Sequence, residues 1–498
     1  MDIPFRNFQD PNSIQRFRDT QEHIVKTIIN SNKKVVMVSA PTGIGKTILG
    51  MVAGHNLAHH VNYICTSKFL QTQIQDDFPE AKVIRGRDNY VCNLFKHLSA
   101  SSCLKQCDEY TSGKINCDYY DAKKEVLRNR YRVLNTAYYL TECNYVGQFS
   151  GQELVIIDEA DTLEDELIKF VSLNISSDDI RKYGLSTPKY VTKLESWREW
   201  AKSTYEQLEK LYDENKDSHA LDEEYVKGVM FMRKIRLFNL VVDESWVYDR
   251  SDYAWQFKPV WLNPELTKEY LWNHAKKFIL MSATLPKKSI ISRLMGLSIS
   301  DVDYIEVDSP YEIKNRLIHY KPVLEMSKKN EDEHYKIINE IEKTLEKHKG
   351  DKGIVHTVSY KLRDKIVEHI GGDRLITHGS DDKEEQLEKF KTSKEPLVFV
   401  SPSSERGLSL DEDYARFCIW AKVPFANLGD KQISARTYTK PFGSRWYSSN
   451  AAMAIVQGAG RGVRSENDFC ATYIFDAQFE RLIHYLPDWF KAAIVIDS

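Results

Sequence analysis

The chain reads as an α/β protein of two parallel-sheet lobes, the first carrying a four-cysteine insertion and a helical insertion. Three observations predict this. Short apolar runs of the kind that form strands buried on both faces recur in two separate series. The run Lys34-Val-Val-Met-Val-Ser39 leads directly into a glycine-containing turn and a helical pattern. Cys92, Cys103, Cys107 and Cys117 then interrupt the first series. At 498 residues the chain exceeds what one hydrophobic core organises, so several domains are expected.

Taken in order, Lys34–Ser39 predicts a buried strand, Ala40-Pro-Thr-Gly-Ile-Gly-Lys-Thr47 a phosphate-binding turn, and the residues from Lys46 a helix. Such a turn needs backbone N–H groups converging on one concavity, a helix N-terminus, and a cation to meet the anion. Gly43, Gly45 and Lys46 supply these, and Thr47 offers a hydroxyl to Mg²⁺. Ala40 stands where the general pattern has its first glycine.

Val61–Thr66 and Leu154–Ile157 predict two further strands, the second ending at Asp158-Glu-Ala-Asp161. An acid at a strand end beside a phosphate turn is placed to hold the Mg²⁺ shell, the role expected of Asp158. Glu159 is then placed to orient or deprotonate the attacking water. Phe278–Met281 is a fourth strand, ending at Ser282-Ala-Thr284.

The four cysteines have ten, three and nine residues between successive members. Zinc accepts four thiolates, but its structural sites usually come as two short knuckles. A [4Fe–4S] cluster tolerates uneven spacing, so on chemistry alone a cluster, zinc and unligated thiols all stand, the cluster first. Cys65, Cys418 and Cys470 lie in apolar runs and are expected to be buried small hydrophobes, and Cys143, after Tyr-Tyr-Leu, a structural residue with a ligand role as the alternative. From Lys82 to Val146 there are eleven basic and seven acidic residues, against a whole-chain net charge of −3. That local excess could track phosphates, with Tyr90, Tyr119 and Tyr120 interleaving between bases.

Past Asp161 the pattern turns helical, through Trp197, Trp200, Tyr205, Leu208 and Leu211 and again from Tyr225 to Val242. Asp213–Ser218 reads as the solvated turn between, and the aromatic residues as core. The second strand series comprises Gly353–Thr357, Arg374–Thr377, Leu397–Val400, Phe417–Trp420 and Thr472–Phe475. Ahead of its last strand lies Gln457-Gly-Ala-Gly-Arg-Gly-Val-Arg464. Arg461 and Arg464 are three apart, so both could reach one phosphate from the second lobe. A site built from two lobes is complete only when they close.

No apolar run approaches the ~18 residues that span a bilayer, and Met1-Asp-Ile-Pro-Phe-Arg6 lacks a basic start with an apolar stretch. An intracellular, cytoplasmic protein without membrane contact is expected, with a nuclear place also open.

These residues together resemble the iron–sulfur group of superfamily two helicases that includes XPD and DinG. Arg18-Asp-Thr-Gln21 is similar to the adenine-recognising element, Thr66–Gln71 to the first strand-contacting motif, and Arg87–Cys92 and Cys117–Lys123 to the edges of the cluster domain. Ser282-Ala-Thr284 resembles the motif coupling hydrolysis to movement, Asp308–Tyr311 the lobe junction, and Gln457–Arg464 the arginine motif. Two departures stand out. Cys103 and Cys107 are separated by three residues where many members have two. Glu405-Arg-Gly-Leu-Ser-Leu410 carries Arg406 and Ser409 where the family has acids.

The resemblance implies two RecA-like motor lobes, residues 1–81, 147–162 and 245–312 in the first and 313–498 in the second. It implies an iron–sulfur domain over 82–146 and a helical arch over 163–244. The expected cofactors are ATP on Arg18, Gln21, Gly43, Gly45, Lys46 and Thr47, Mg²⁺ on Thr47 and Asp158, and a [4Fe–4S] cluster on Cys92, Cys103, Cys107 and Cys117. Lys46, Asp158, Glu159, Gln457, Arg461 and Arg464 would carry the chemistry. The activity implied is ATP-driven movement along single-stranded DNA, 5′ to 3′, opening forked DNA as a monomer. The compact length points to a prokaryotic or viral member. An RNA or RNA–DNA hybrid helicase and a regulatory ATPase subunit are the alternatives.

Overall fold

The structure is a computed structural model. It describes residues 19–103, 106–212, 223–250, 253–402, 414–460, 462–463, 465 and 468–497. Arg18, Arg461, Arg464, the 405–410 motif and the 213–218 turn lie outside the described residues.

The first lobe begins with α1 (Asp19–Asn30), β1 (Val35–Ser39), α2 (Lys46–Leu57) and β2 (Val61–Cys65). The chain continues through β3 (Lys82–Val83), α3 (Asp118–Arg128), β4 (Tyr131–Asn135) and β5 (Gln152–Asp158). After α4 (Leu163–Val171) come β6 (Leu173–Ser176), α5 (Leu194–Glu209), α6 (Glu223–Val241), β7 (Trp246–Arg250) and β8 (Ala254–Pro259). β9 (Ala275–Ser282) and β10 (Val302–Glu306) then rejoin the main sheet, whose order is β10-β1-β9-β5-β2-β4-β3 with every pairing parallel.

Alternation along each strand splits the core into two layers. Val36 and Val38 of β1 face α1 and α2, against Ile24, Val25, Leu49 and Val52. Val35 and Met37 point the other way, into a core that continues without a break to Trp197, Phe238 and Phe257. The insertion beyond β5 is therefore packed onto the first sheet. Trp197 is fully buried, and truncating such a residue costs ~3–5 kcal/mol.

Three boundaries differ from expectation. β3 and β4 belong to the first sheet, so within 82–146 only the stretch between those two strands projects from it. The insertion expected to be helical over 163–244 also holds an antiparallel sheet, β6-β8-β7, and extends to Pro259. Period-two alternation in Trp255-Gln-Phe-Lys258 builds that sheet, with Trp255 and Phe257 inward. Trp197, Trp200 and Leu208 are core as expected, whereas Leu211 lies beyond the helix end and is exposed.

The second lobe contains β11 (Ile318–Leu324), β12 (Gly353–His356), β13 (Leu375–Ile376), β14 (Val398–Ser401) and β15 (Phe417–Trp420). α7 (Lys431–Tyr438), α8 (Gly443–Ala459), β16 (Ala471–Asp476) and β17 (Ile494–Ile496) complete it. Its sheet runs β13-β14-β12-β15-β16-β11-β17, again all parallel. Cys65, Cys143, Cys418 and Cys470 are buried. No helix among the described residues is long and apolar enough to cross a membrane.

Candidate nucleotide site and cysteine group

The turn between β1 and α2 lies at the carboxyl end of the first sheet, where open parallel sheets bind ligands. Gly43 and Gly45 adopt φ of 80° and 83°, left-handed values that L side chains resist, and Lys46 is the first residue of α2. Gln21, buried on α1, donates from Nε2 to the Ile44 carbonyl at 2.8 Å. That bond ties the first helix to the turn. The arrangement can cradle a polyphosphate on backbone N–H groups with Lys46 as the point charge.

Asp158 ends β5 and accepts a 2.8 Å hydrogen bond from Tyr63 on the neighbouring strand β2. Tyr63 thereby fixes the carboxylate that is expected to share a magnesium ion with Thr47. Burial, then the Asp158 charge, pushes the Tyr63 hydroxyl well above its usual range and keeps it a donor. Sequence reasoning missed Tyr63, because an aromatic in an apolar strand carries no sign of what its tip touches.

Glu159 has φ of 50°, a strained value for a non-glycine residue, which turns the chain sharply after β5. Asp161 then accepts from Ser282 Oγ at 2.7 Å and Thr284 Oγ1 at 2.8 Å. The acidic motif and the Ser282–Thr284 motif are thus one hydrogen-bonded unit at adjacent strand ends.

The second lobe meets the turn directly. Thr42 Oγ1 donates to the Gly460 carbonyl at 2.9 Å, which brings the start of the arginine motif onto the phosphate turn. Gln457 is half-buried near the end of α8. A cleft between the lobes is lined by Pro41, Thr42, Tyr311, Arg316, Gly460 and Trp489. Arg316 was not foreseen; its Nε donates to the Tyr311 carbonyl at 3.1 Å and its Nη1 to the Trp489 carbonyl at 2.7 Å.

Tyr311 packs so closely on the turn that a Cβ built on Gly43 would lie 1.6 Å from its hydroxyl. Gly43→Ala is accordingly expected to cost about 1–3 kcal/mol and to lose nucleotide affinity, read by melting and by titration with a fluorescent nucleotide. Adding Tyr311→Phe recovers only part, since the ring carbon behind the hydroxyl would still lie at 2.6 Å.

Cys92, Cys103, Cys107 and Cys117 are free and part-buried, on the segment between β3 and β4. Burial pushes the Cys103 thiol up, and Cys107, Cys92 and Cys117 each add to the rise, so all four thiols lie within electrostatic reach. Cys92 Sγ accepts from the Phe95 N–H at 3.4 Å, and Cys117 immediately precedes α3 without a side-chain bond to its first turn. Among the described residues no three side chains of ligating type are spaced to hold a single ion. An all-thiolate set is chemically suited to zinc or to an iron–sulfur cluster.

The cysteine segment is fastened to the first lobe by buried polar contacts. Lys123 of α3 pairs with Glu142 at 2.5 Å, both nearly inaccessible, and Tyr119 donates to the same carboxylate at 3.0 Å. Arg87 stacks over Tyr119 and Tyr120 and donates to the Cys103 carbonyl at 2.8 Å. Tyr119 is therefore fully buried and closed to nucleic-acid bases, contrary to the stacking expected of it. Packing against Arg87 and Glu142 takes the place of that role.

Two family models match the chain: DEAD/DEAH box helicase over residues 18–175 and helicase C-terminal domain over residues 337–493. With both domains in this order on paired RecA-like lobes, the chain carries the two domains of an ATP-hydrolysing helicase. Its fold is that of XPD helicases. A structure of an XPD helicase superposes with a TM-score of 0.64 at 17% identity, covering 97% of this chain and 100% of that one. Xpd4 of S. tokodaii superposes at 0.60 with 16% identity, covering 97% and 100%. An apo XPD structure gives 0.59 at 15% identity, covering 96% and 100%.

Proposed function

We propose that this helicase moves 5′ to 3′ along single-stranded DNA and opens forked duplexes, with a [4Fe–4S] cluster holding its cysteine segment in shape. One observation carries the single-strand reading. Each lobe presents the same small platform after a sheet strand. In the first, Ser67 caps the helix Lys68–Asp77 by accepting from Leu70 N, and Phe69 stands 77% exposed in its first turn beside Lys68. In the second, Ser359 caps the helix Tyr360–Ile370 by accepting from Leu362 N, and Tyr360 stands 45% exposed beside Lys361. A helix N-terminus, a lysine and an open aromatic ring suit a phosphate and its base. Two such platforms on lobes that close and open around ATP would grip a strand alternately.

Lys46 would neutralise the phosphates, Thr47 and Asp158 would hold Mg²⁺, and Glu159 would direct water. Gln457, Arg461 and Arg464 would arrive from the second lobe as it closes, with Arg18 and Gln21 at the base. The cluster would sit on Cys92, Cys103, Cys107 and Cys117, where it supplies cross-linking of the loop rather than chemistry on the substrate. The helical insertion would guide the strand as an arch. A cytoplasmic monomer acting on forked DNA completes the proposal.

Phe69→Ala and Tyr360→Ala are each expected to weaken single-strand binding by about 1–3 kcal/mol, read by anisotropy of a labelled oligonucleotide. Unaltered affinity in both would remove the platforms from the strand path. Displacement assays on DNA and RNA forks of equal sequence separate the DNA reading from an RNA or hybrid helicase, and ATPase without displacement would point to a regulatory subunit.

A further inference from the structure

The two lobes touch a second time, away from the phosphate turn. Arg436 on α7 of the second lobe donates from Nη2 to Glu164 on α4 of the first, and the exposures of the two side chains are 4% and 8%. The guanidinium carbon sits 4.3 Å from the ring centroid of Trp261 and 4.3 Å from that of Trp446. Phe442, Ile290 and Leu294 close off the surroundings. Nearby, Trp261 Nε1 donates to Thr439 Oγ1 at 3.2 Å and Gln432 Nε2 to the Pro259 carbonyl at 2.6 Å.

Glu164 is joined to the ATP site by a short stretch of chain, and Arg436 through the indole of Trp446 on which it packs. Glu164 lies in the first turn of α4, three residues after Asp161, the acid that holds Ser282 and Thr284. On the other side, Trp446 is in the first turn of α8, and this helix of 17 residues ends beside Gly460, which accepts from Thr42 of the phosphate turn. At ~1.5 Å per residue, the 14 residues from Trp446 to Gly460 set the two inter-lobe contacts roughly 21 Å apart along α8.

Burial pushes the Glu164 carboxyl up to about 7, and Arg436 is the strongest influence opposing the rise. An ion pair in such a place is no cheaper than well-fitted apolar side chains, so stability alone does not account for it. What it adds is direction: a guanidinium held between two indoles and bonded to one carboxylate fixes an angle that sliding apolar contacts leave free.

We propose that Glu164 and Arg436, held between Trp261 and Trp446, are positioning residues for ATP hydrolysis. They set the angle of α8 against the first lobe and thereby carry Gln457 and the start of the arginine motif to the phosphate turn. Neither touches nucleotide. Their effect therefore falls on turnover rather than on nucleotide binding.

Steady-state ATPase of the full chain tests this in Glu164→Gln, Arg436→Met and the double variant, with Lys46→Ala as the inactive control and melting curves alongside. The expected result is kcat lowered about 10- to 100-fold with KM for ATP within about twofold, and a double variant no slower than Arg436→Met. A folded Arg436→Met or Glu164→Gln that turns over ATP at the parent rate overturns the proposal, as does a loss confined to KM. Should Arg436→Met fail to fold, Glu164→Gln, which keeps the side chain's shape, decides by the same numbers. A parent chain no faster than Lys46→Ala would instead remove the ATPase assignment itself.

Discussion

Lys46→Ala is expected to lower ATP turnover by about 10²- to 10³-fold while single-stranded DNA binding stays within a few-fold of the parent. The phosphate turn owes its shape to Gly43 and Gly45 at left-handed φ and to the Gln21 bond onto the Ile44 carbonyl. None of these depends on the Lys46 side chain, so the empty turn persists in the variant. What disappears is the one mobile positive charge at the head of α2, where negative charge spreads as the phosphoryl group transfers. Phe69 and Tyr360 lie on other helices, so strand affinity is untouched. Lys46 is only half-buried, and removing it moves the melting transition by no more than about 0.5 kcal/mol. Phosphate release and oligonucleotide anisotropy on one preparation check both halves. Unchanged hydrolysis would take the phosphate turn out of the reaction.

The parts of this site that were legible in the sequence are those made by consecutive residues. An apolar strand running into Ala40–Thr47 announces its turn because backbone geometry there is dictated locally by glycine. The same holds for Asp158 at the end of Leu154–Ile157. Two strands whose apolar run is broken by a charged residue or a proline were not legible. β4 contains Arg132, buried and donating to the Asn129 and Leu127 carbonyls and to Gln152, so an arginine occupies a sheet position that its type argues against. β11 contains Pro322, and its register against β16 shifts between Tyr320 and Leu324. Pattern reading passes over such a strand, because its partners rather than its own alternation hold it in place.

Contacts between lobes were hidden for a different reason. Thr42 and Gly460 are 418 residues apart, and Glu164 and Arg436 are 272 apart. Neither pair has a local signature, since a threonine beside a glycine turn and a glutamate in an acidic helix start both look like surface residues. Their burial is a property of two folded lobes in contact. Tyr119 shows the converse error: a tyrosine in a basic, aromatic stretch suggested base stacking, but Arg87 and Glu142 had already claimed its ring and its hydroxyl.

Cys107→Ser is expected to strip bound iron, bleach the visible absorption of anaerobically purified protein and abolish strand displacement, while ATP hydrolysis remains measurable. Serine offers a hard, poorly ionised oxygen in place of a soft thiolate, so one corner of a cluster loses its ligand. The consequences divide along the way the segment is built. Its base is held without any cofactor, by Lys123 and Glu142 at 2.5 Å, by Tyr119 on the same carboxylate, and by β3 and β4 in the first sheet. These contacts, with Tyr119 and Val126 buried in the core of the first lobe, do not involve the cysteines and keep the base ordered when the cluster is gone. The loop bearing Cys92, Cys103 and Cys107 is tied down by single polar contacts, among them Arg87 to the Cys103 carbonyl, Asn93 to Asp118 and Tyr110 to Asp121. Loss of the proposed cluster would therefore free the outer loop and leave Thr47, Tyr63 and Asp158 as they were, so hydrolysis is expected to survive and strand separation is not. Iron analysis, absorbance, ATPase and a forked-DNA assay on one sample read all four outcomes. Stoichiometric zinc in the parent protein would replace the cluster by a single-ion site, and strand displacement surviving complete loss of iron would show that this loop does not part the strands.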